Sequence, residues 1–300
     1  MYALTTHIPL LRPLRRIPLS RDQMMLLMAA INEIFLGVDH YTAHLISGTI
    51  VIREWIPIVF GPVAGVLLLV GGLIALRNRP VATVLGSLVL VASVAVGLLG
   101  AYYHFVRAIL PSGPAGARVG LDLLVWAPPI LGPLFLSFVG VVGISAVFEE
   151  EPPGSGRVQV LPGRHVRLPY SKTRAYLFLI GMGILATTIS SVLDHARTGF
   201  ENPWLWVPTL VGIFALAVSI GLGAVRTPQR ADVLIYVGAM LLLILVGLVG
   251  FVLHVQENLV AGREIVLERF LRGAPFMAPT LFANVGLLGL IVLWEPRREA

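Results

Sequence analysis

The sequence predicts an all-α integral membrane protein: eight transmembrane helices built as two tandem, parallel four-helix repeats. Three observations predict it. Of the 300 residues, 57% are hydrophobic and 13% are charged. A soluble domain has roughly 45–50% apolar and about 25% charged residues. The apolar residues gather into eight runs, each near the roughly 20 residues that cross a bilayer. Landmarks in the first four runs then recur, in the same order, in the last four.

Residues 1–21 carry Arg12, Arg15, Arg16 and Arg21 with Pro9 and Pro13, and no strongly apolar core. A cleaved signal peptide needs a basic start, a short apolar core and a small-residue cleavage site. The apolar run begins only at Met24 and is too long for such a core, so residues 1–21 read as a cytoplasmic segment lying on the membrane surface. The eight expected spans are 23–50, 55–76, 81–107, 120–147, 175–196, 204–225, 231–256 and 275–294. The basic residues alternate between the gaps. Arg12 to Arg21, Arg77 and Arg79, Arg157 to Arg174, Arg226 and Arg230, and Arg297 and Arg298 fall on one side. Positive loops stay inside, so both termini are expected in the cytoplasm. The net charge of +6 is explained by this topology rather than by nucleic acid. The arginine-dominated basic set, with Lys172 the single lysine, suggests a prokaryotic plasma membrane.

The first repeat is expected over 22–148 and the second over 174–296. A polar linker at 149–173 contains Glu149-Glu150-Glu151-Pro152-Pro153-Gly154. Val38-Asp39-His40 in the first run matches Leu193-Asp194-His195 in the fifth. Trp55-Ile56-Pro57 matches Trp206-Val207-Pro208. Gly97, Gly100 and His104 match Gly247, Gly250 and His254. Pro133 and Gly140 match Pro279 and Gly286. A unit of four spans returns the chain to the same side, so the copies are parallel and related by an axis near the membrane normal.

Chemistry is expected where the histidines are. His40, His104, His195 and His254 each lie near the outer end of an inside-to-outside helix, and each half brings two to similar depth on neighbouring helices. Ionisable residues in membrane spans usually face the bundle interior, and facing helices of a bundle build cofactor sites. A b-type haem is the first candidate, its iron held by two imidazoles. Gly97 and Gly100, and Gly247 and Gly250, share a helix face with their histidine and are expected to leave room for the ring. Asp39 and Asp194 are expected as supporting hydrogen-bond acceptors. The alternative is copper or another metal, for which His40 and His44 lie one turn apart on one face, with His104, His195 and His254 as further ligands. A proton-coupled permease or a subunit of a larger membrane complex would use the same features. The expected partners are the lipid bilayer and a quinol or other redox partner.

Other chemistries are excluded. With no cysteine, there is no disulfide, thiolate metal site or cysteine nucleophile. No phosphate-binding Gly-Lys-Ser/Thr loop occurs, and Gly181-Met182-Gly183 lies inside an apolar run without the strand a dinucleotide site needs. The outer segment Gln256–Arg272 spaces Leu259, Val260, Ile265, Val266, Leu267, Phe270 and Leu271 among charges, which predicts a short amphipathic helix on the membrane surface. Its counterpart, Leu110–Arg118, is Pro/Gly-rich.

Two fused four-helix units with two membrane histidines each resemble the architecture of the haem A synthases. That resemblance implies one haem per half. In that family the histidines lie on the second and fourth helices of each unit, whereas here they lie on the first and third. The family's Glu-x-x-His pattern and loop cysteine pair are absent.

Overall fold

The computed structural model describes residues 18–45, 48, 50–109, 125–126, 129–161, 163–259 and 264–294. The surface segment expected before residue 18, the Pro/Gly-rich Leu110–Arg118, and Arg297 and Arg298 therefore lie outside the described residues. Helices dominate: α1 (Arg21–Leu45), α2 (Trp55–Ala75), α3 (Arg79–Ile109), α4 (Leu131–Val147), α5 (Lys172–Ala196), α6 (Trp206–Ala224), α7 (Arg230–Asn258), α8 (Leu267–Arg272) and α9 (Thr280–Val292). Five stretches are long and apolar enough to cross a membrane: Ile52–Ala75, Arg79–Arg107, Lys172–Ala196, Pro203–Ala224 and Arg230–Asn258. The helices α4 and α9 are apolar but shorter. The most polar long helix is α1, and it carries Asn32, Glu33 and His40 into the protein interior.

Local sequence sets the helix starts. Ser20 and Gln23 form a reciprocal capping box before α1: the Gln23 amide donates to Ser20 Oγ at 3.2 Å, and the Ser20 amide to Gln23 Oε1 at 2.7 Å. Asn78 caps α3 by accepting from the Val81 amide at 3.3 Å. Ser171 accepts from Arg174 at the start of α5, and Asp232 accepts from the Gln229 amide at 2.8 Å before α7. The described parts of α4 and α9 begin later than the apolar runs suggest. Both starts are set by prolines, Pro133 in the first turn of α4 and Pro279 as N-cap of α9, where a missing N–H costs nothing.

Packing follows chain order. In the first half α1 lies on α2, α2 on α3, α3 on α4, and α4 returns to α1. In the second half α5 lies on α6, α6 on α7, α7 on α9, and α9 returns to α5. The halves meet where α4 touches α5 and α9 touches α1. One apolar core joins Tyr176, Leu177, Ile180, Tyr236, Met240 and Leu243 with α9. A second joins Ala29, Ala30, Leu36, Leu90, Leu136 and Val139. The outward faces remain apolar, with Val59, Val63, Leu88, Val91, Leu210, Ile213 and Leu245 all exposed. A soluble protein would cover such a surface, whereas lipid covers it in a membrane.

Two features were not expected from the sequence. The linker folds into a three-stranded antiparallel sheet, β1 (Glu149–Glu150), β2 (Arg157–Leu161) and β3 (Arg164–Arg167). Glu150 organises it by accepting from the amides of Gly154, Gly156 and Lys172. The first helices of the two halves are also pinned together at this end. Lys172 Nζ reaches Asp22 Oδ2 and the Phe148 carbonyl, both at 2.5 Å, and Arg21 donates to Thr173 Oγ1 at 2.6 Å.

Candidate functional site

The histidines gather at the far ends of the long helices. His104 comes 25 residues after the start of α3 and His254 comes 24 after the start of α7, a rise of about 36–38 Å. That exceeds the roughly 30 Å of a hydrocarbon core, so both helices are long enough to carry their imidazoles across one. Each faces a histidine near the end of the first helix of its half. The rings of His44 and His104 are 6.0 Å apart, centre to centre, with planes 62° apart. Those of His195 and His254 are 6.4 Å apart at 64°. His40 stands one turn behind, its ring 6.4 Å from that of His44. So α1 meets His104 through His44, while His40 is buried behind it. In α5 the position one turn before His195 is Ser191, whose Oγ lies 3.4 Å from His195 Nδ1.

The chain after α3 and after α7 fixes the ring orientation. His104 Nδ1 donates to the Pro129 carbonyl at 3.0 Å, and His254 Nδ1 donates to the Pro275 carbonyl at 3.1 Å. A carbonyl only accepts, so the proton is on Nδ1 and the Nε2 lone pair is left available. That is how a ligating histidine is usually set by its outer neighbour. Four residues later a second proline packs on the glycines. A Cβ on Gly100 would lie 2.7 Å from Pro133 Cβ, and one on Gly250 would lie 2.8 Å from Pro279 Cβ. Gly97 likewise faces Ser137 and the Pro133 carbonyl, and Gly247 faces Ala283 and the Pro279 carbonyl. The space expected beside the glycines for a macrocycle is therefore occupied by α4 and α9. These glycines permit backbone contact between helices, the commonest use of small residues in membranes.

Charges and a strained turn complete the two sites. Glu54 lies 3.9 Å from Arg107 above the first, and Asp194 lies 4.0 Å from Arg197 beside the second. Arg197 Nε also donates to the Val125 carbonyl at 2.8 Å, tying the end of α5 to the chain before α4. Asp39 is half-buried on α1, next to His40. Phe200 has a φ of 53°, the left-handed region that a bulky residue rarely adopts. It stacks on Trp206 at 4.3 Å and sets its ring edge against His195 at 6.1 Å. Beyond the second site Asn258 accepts from the Ala274 amide and donates to the Ala274 carbonyl, and Arg269 donates to the carbonyls of Glu257 and Asn258. Of the segment expected as a surface helix, Leu267–Arg272 forms the short α8, residues 256–258 end α7, and 260–263 lie outside the described residues.

Among the described residues no group of three or more His, Asp or Glu side chains is arranged to hold a metal ion. Sequence reasoning missed Pro129 and Pro275 as histidine acceptors. The repeated Pro-x-x-x-Pro spacing, Pro129 with Pro133 and Pro275 with Pro279, carried that signal. It also missed Glu33, an acidic residue in the middle of an apolar run. Comparison with protein-family models, with curated proteins and with solved structures finds no match to this chain.

Proposed function

We propose that the chain is an eight-span membrane protein of two parallel tandem units, 22–148 and 174–296, joined by the 149–173 linker. Each unit holds at its outer side one ligand between two neutral imidazoles: His44 with His104, and His195 with His254. The role that fits such a pair is electron transfer at the outer face of a prokaryotic plasma membrane, with a quinol or a membrane redox subunit as partner. The repeat reading is supported by matched packing. The histidine, its two glycines and the two prolines recur with the same contacts in both halves. Gly61 packs on Gly37, and Gly212 packs on Thr188. These positions share the 151-residue offset that relates Trp55 to Trp206 and His44 to His195.

The observation that carries the ligand reading is the matched Nδ1–H bond of His104 and His254 to a proline carbonyl, opposite a second histidine in each half. A metal ion in line between two imidazole nitrogens, at about 2.0–2.1 Å from each, places the ring centres roughly 6.3 Å apart. Copper is the occupant the packing favours. It stands at the top of the affinity order for nitrogen sites, and a single ion needs no space beside the glycines. Haem b is the second reading, favoured by the same ring separation. It requires α4 and α9 to yield at Pro133 and Pro279.

The test is an absorption spectrum of detergent-purified protein, oxidised and then reduced with dithionite, with metal analysis on the same sample. Stoichiometric copper without a Soret band is the expected result. A Soret band with sharp bands on reduction moves both sites to haem. A colourless, metal-free protein from cells supplied with copper and haem contradicts the ligand reading.

A further inference from the structure

Glu33 is the most deeply buried acidic residue among the described residues of the first half and belongs to neither histidine pair. Its residue is 0% exposed, and neither Oε1 nor Oε2 has a hydrogen-bond partner. It lies 12 residues into α1, about 18 Å from the helix start; under the eight-span reading proposed above, on which this inference rests, that is near the middle of a roughly 30 Å hydrocarbon layer. The hydroxyl of Ser93 on α3, also fully buried, lies beside its carboxyl group. The Ser93 hydroxyl donates to the Val89 carbonyl at 3.1 Å, so it has no hydrogen left for Glu33.

Among the described residues no cation stands near. The helices α2, α4 and α9, which pack on α1, carry no ionisable side chain. On α3 the ionisable groups are Arg79 at one end and Tyr102, Tyr103, His104 and Arg107 at the other. On α1 itself they are Arg21 and Asp22 at the inner end and Asp39, His40, Tyr41 and His44 toward the outer. The short α8 brings Glu268, Arg269 and Arg272 only to the outer side. An ionised carboxylate with neither donor nor counter-ion is too costly in such a place. The second half has Ile184 at the position 151 residues on, and Leu243 opposite it where the first half has Ser93.

We propose that Glu33 is a proton-binding site of the membrane interior, present in the first half alone, whose acid proton exchanges with water during the protein's working cycle. The bond made and broken is the O–H of one carboxyl oxygen. The proton passes to water, the carboxylate is the transient form, and no electron moves. An apolar helix gains nothing from an unpartnered glutamate as packing. A leucine would fill the same place at lower cost, as the second half demonstrates with Ile184.

Infrared spectroscopy of the purified full-length protein tests this. At neutral pH in potassium buffer, the wild type is expected to show the carbonyl stretch of a protonated carboxyl group. The band should shift in deuterated water, vanish in Glu33→Gln and move rather than vanish in Glu33→Asp. Absence of the band in the wild type overturns the proposal, because Glu33 is then ionised. A band that ignores deuterated water for hours also overturns it, because an acid sealed from water carries nothing. Loss of the band when sodium replaces potassium overturns the proton assignment in favour of a sodium site. If Glu33→Gln fails to fold, the displaced band of Glu33→Asp makes the assignment, because Asp39 and Asp194 also carry carboxyl groups on the long helices.

Discussion

At the scale of single residues, the glycines and histidines have separate tasks. Gly97 and Gly247 let two helix backbones meet, and a side chain there must displace a proline-led helix rather than a flexible neighbour. Gly97→Val and Gly247→Val should each cost about 2–3 kcal/mol or more, the upper range of overpacking, measured as a fall in thermal unfolding temperature in detergent. Gly72 and Gly238, which have open space around them, should accept alanine with little change. His104 and His254 anchor the chain to Pro129 and Pro275 through one hydrogen bond, worth about 0.5–1.5 kcal/mol. His104→Ala should therefore lower stability modestly while removing all ligand from its half. The histidines, glycines and prolines were legible in the sequence because repetition marked them. The choice of His44 over His40 was not. A one-turn slip leaves both on nearly the same helix face, and only the packing of Gly61 on Gly37, mirrored by Gly212 on Thr188, fixes the register. Glu33 was illegible for a different reason: one acid in an apolar run has no spacing, and its meaning comes from neighbours on other helices.

At the scale of elements, the caps and prolines explain where helices start, and apolar length explains which ones span. The sheet in the linker was readable in part. Arg157-Val158-Gln159-Val160 alternates, and Gly163 has the positive φ of a tight turn, but so short a sheet is held mainly by Glu150 and its three amide donors. The contact of Asp22 with Lys172 could not be read at all, since nothing in one chain position announces a partner 150 residues away. This pair joins α1 to α5, with the Lys172 side chain 3% exposed. Asp22 is itself 21% exposed and keeps Arg21 at 3.5 Å and the Tyr176 hydroxyl at 3.2 Å, so losing the lysine removes one charged hydrogen bond without stranding the carboxylate. Lys172→Met should destabilise by about 1.5–3 kcal/mol, read from thermal unfolding. The double variant Asp22→Asn with Lys172→Met should recover much of that loss. Equal losses in the single and double variants would show that packing of the lysine stem, not its charge, holds the helices.

At the scale of the whole molecule, two units of similar order pack through α4 on α5 and α9 on α1, and each carries its histidines at the end away from the linker. Because the chain has no cysteine, single cysteines report topology cleanly. Ser155→Cys in the linker should react with an impermeant maleimide only after cells are opened, and Glu201→Cys, beyond α5, should react in intact cells. Labelling of both from one side would show that α5 does not cross the membrane and would overturn the eight-span topology.

The most direct measurement is the ligand content per chain of the wild type, His104→Ala, His254→Ala and the double variant, each purified intact and compared at equal folded fraction. Two independent imidazole sites predict that each single variant loses one of two ligands and that the double variant loses both. A content unchanged in all three variants would contradict the account, as would a single substitution that empties both halves of an otherwise folded protein.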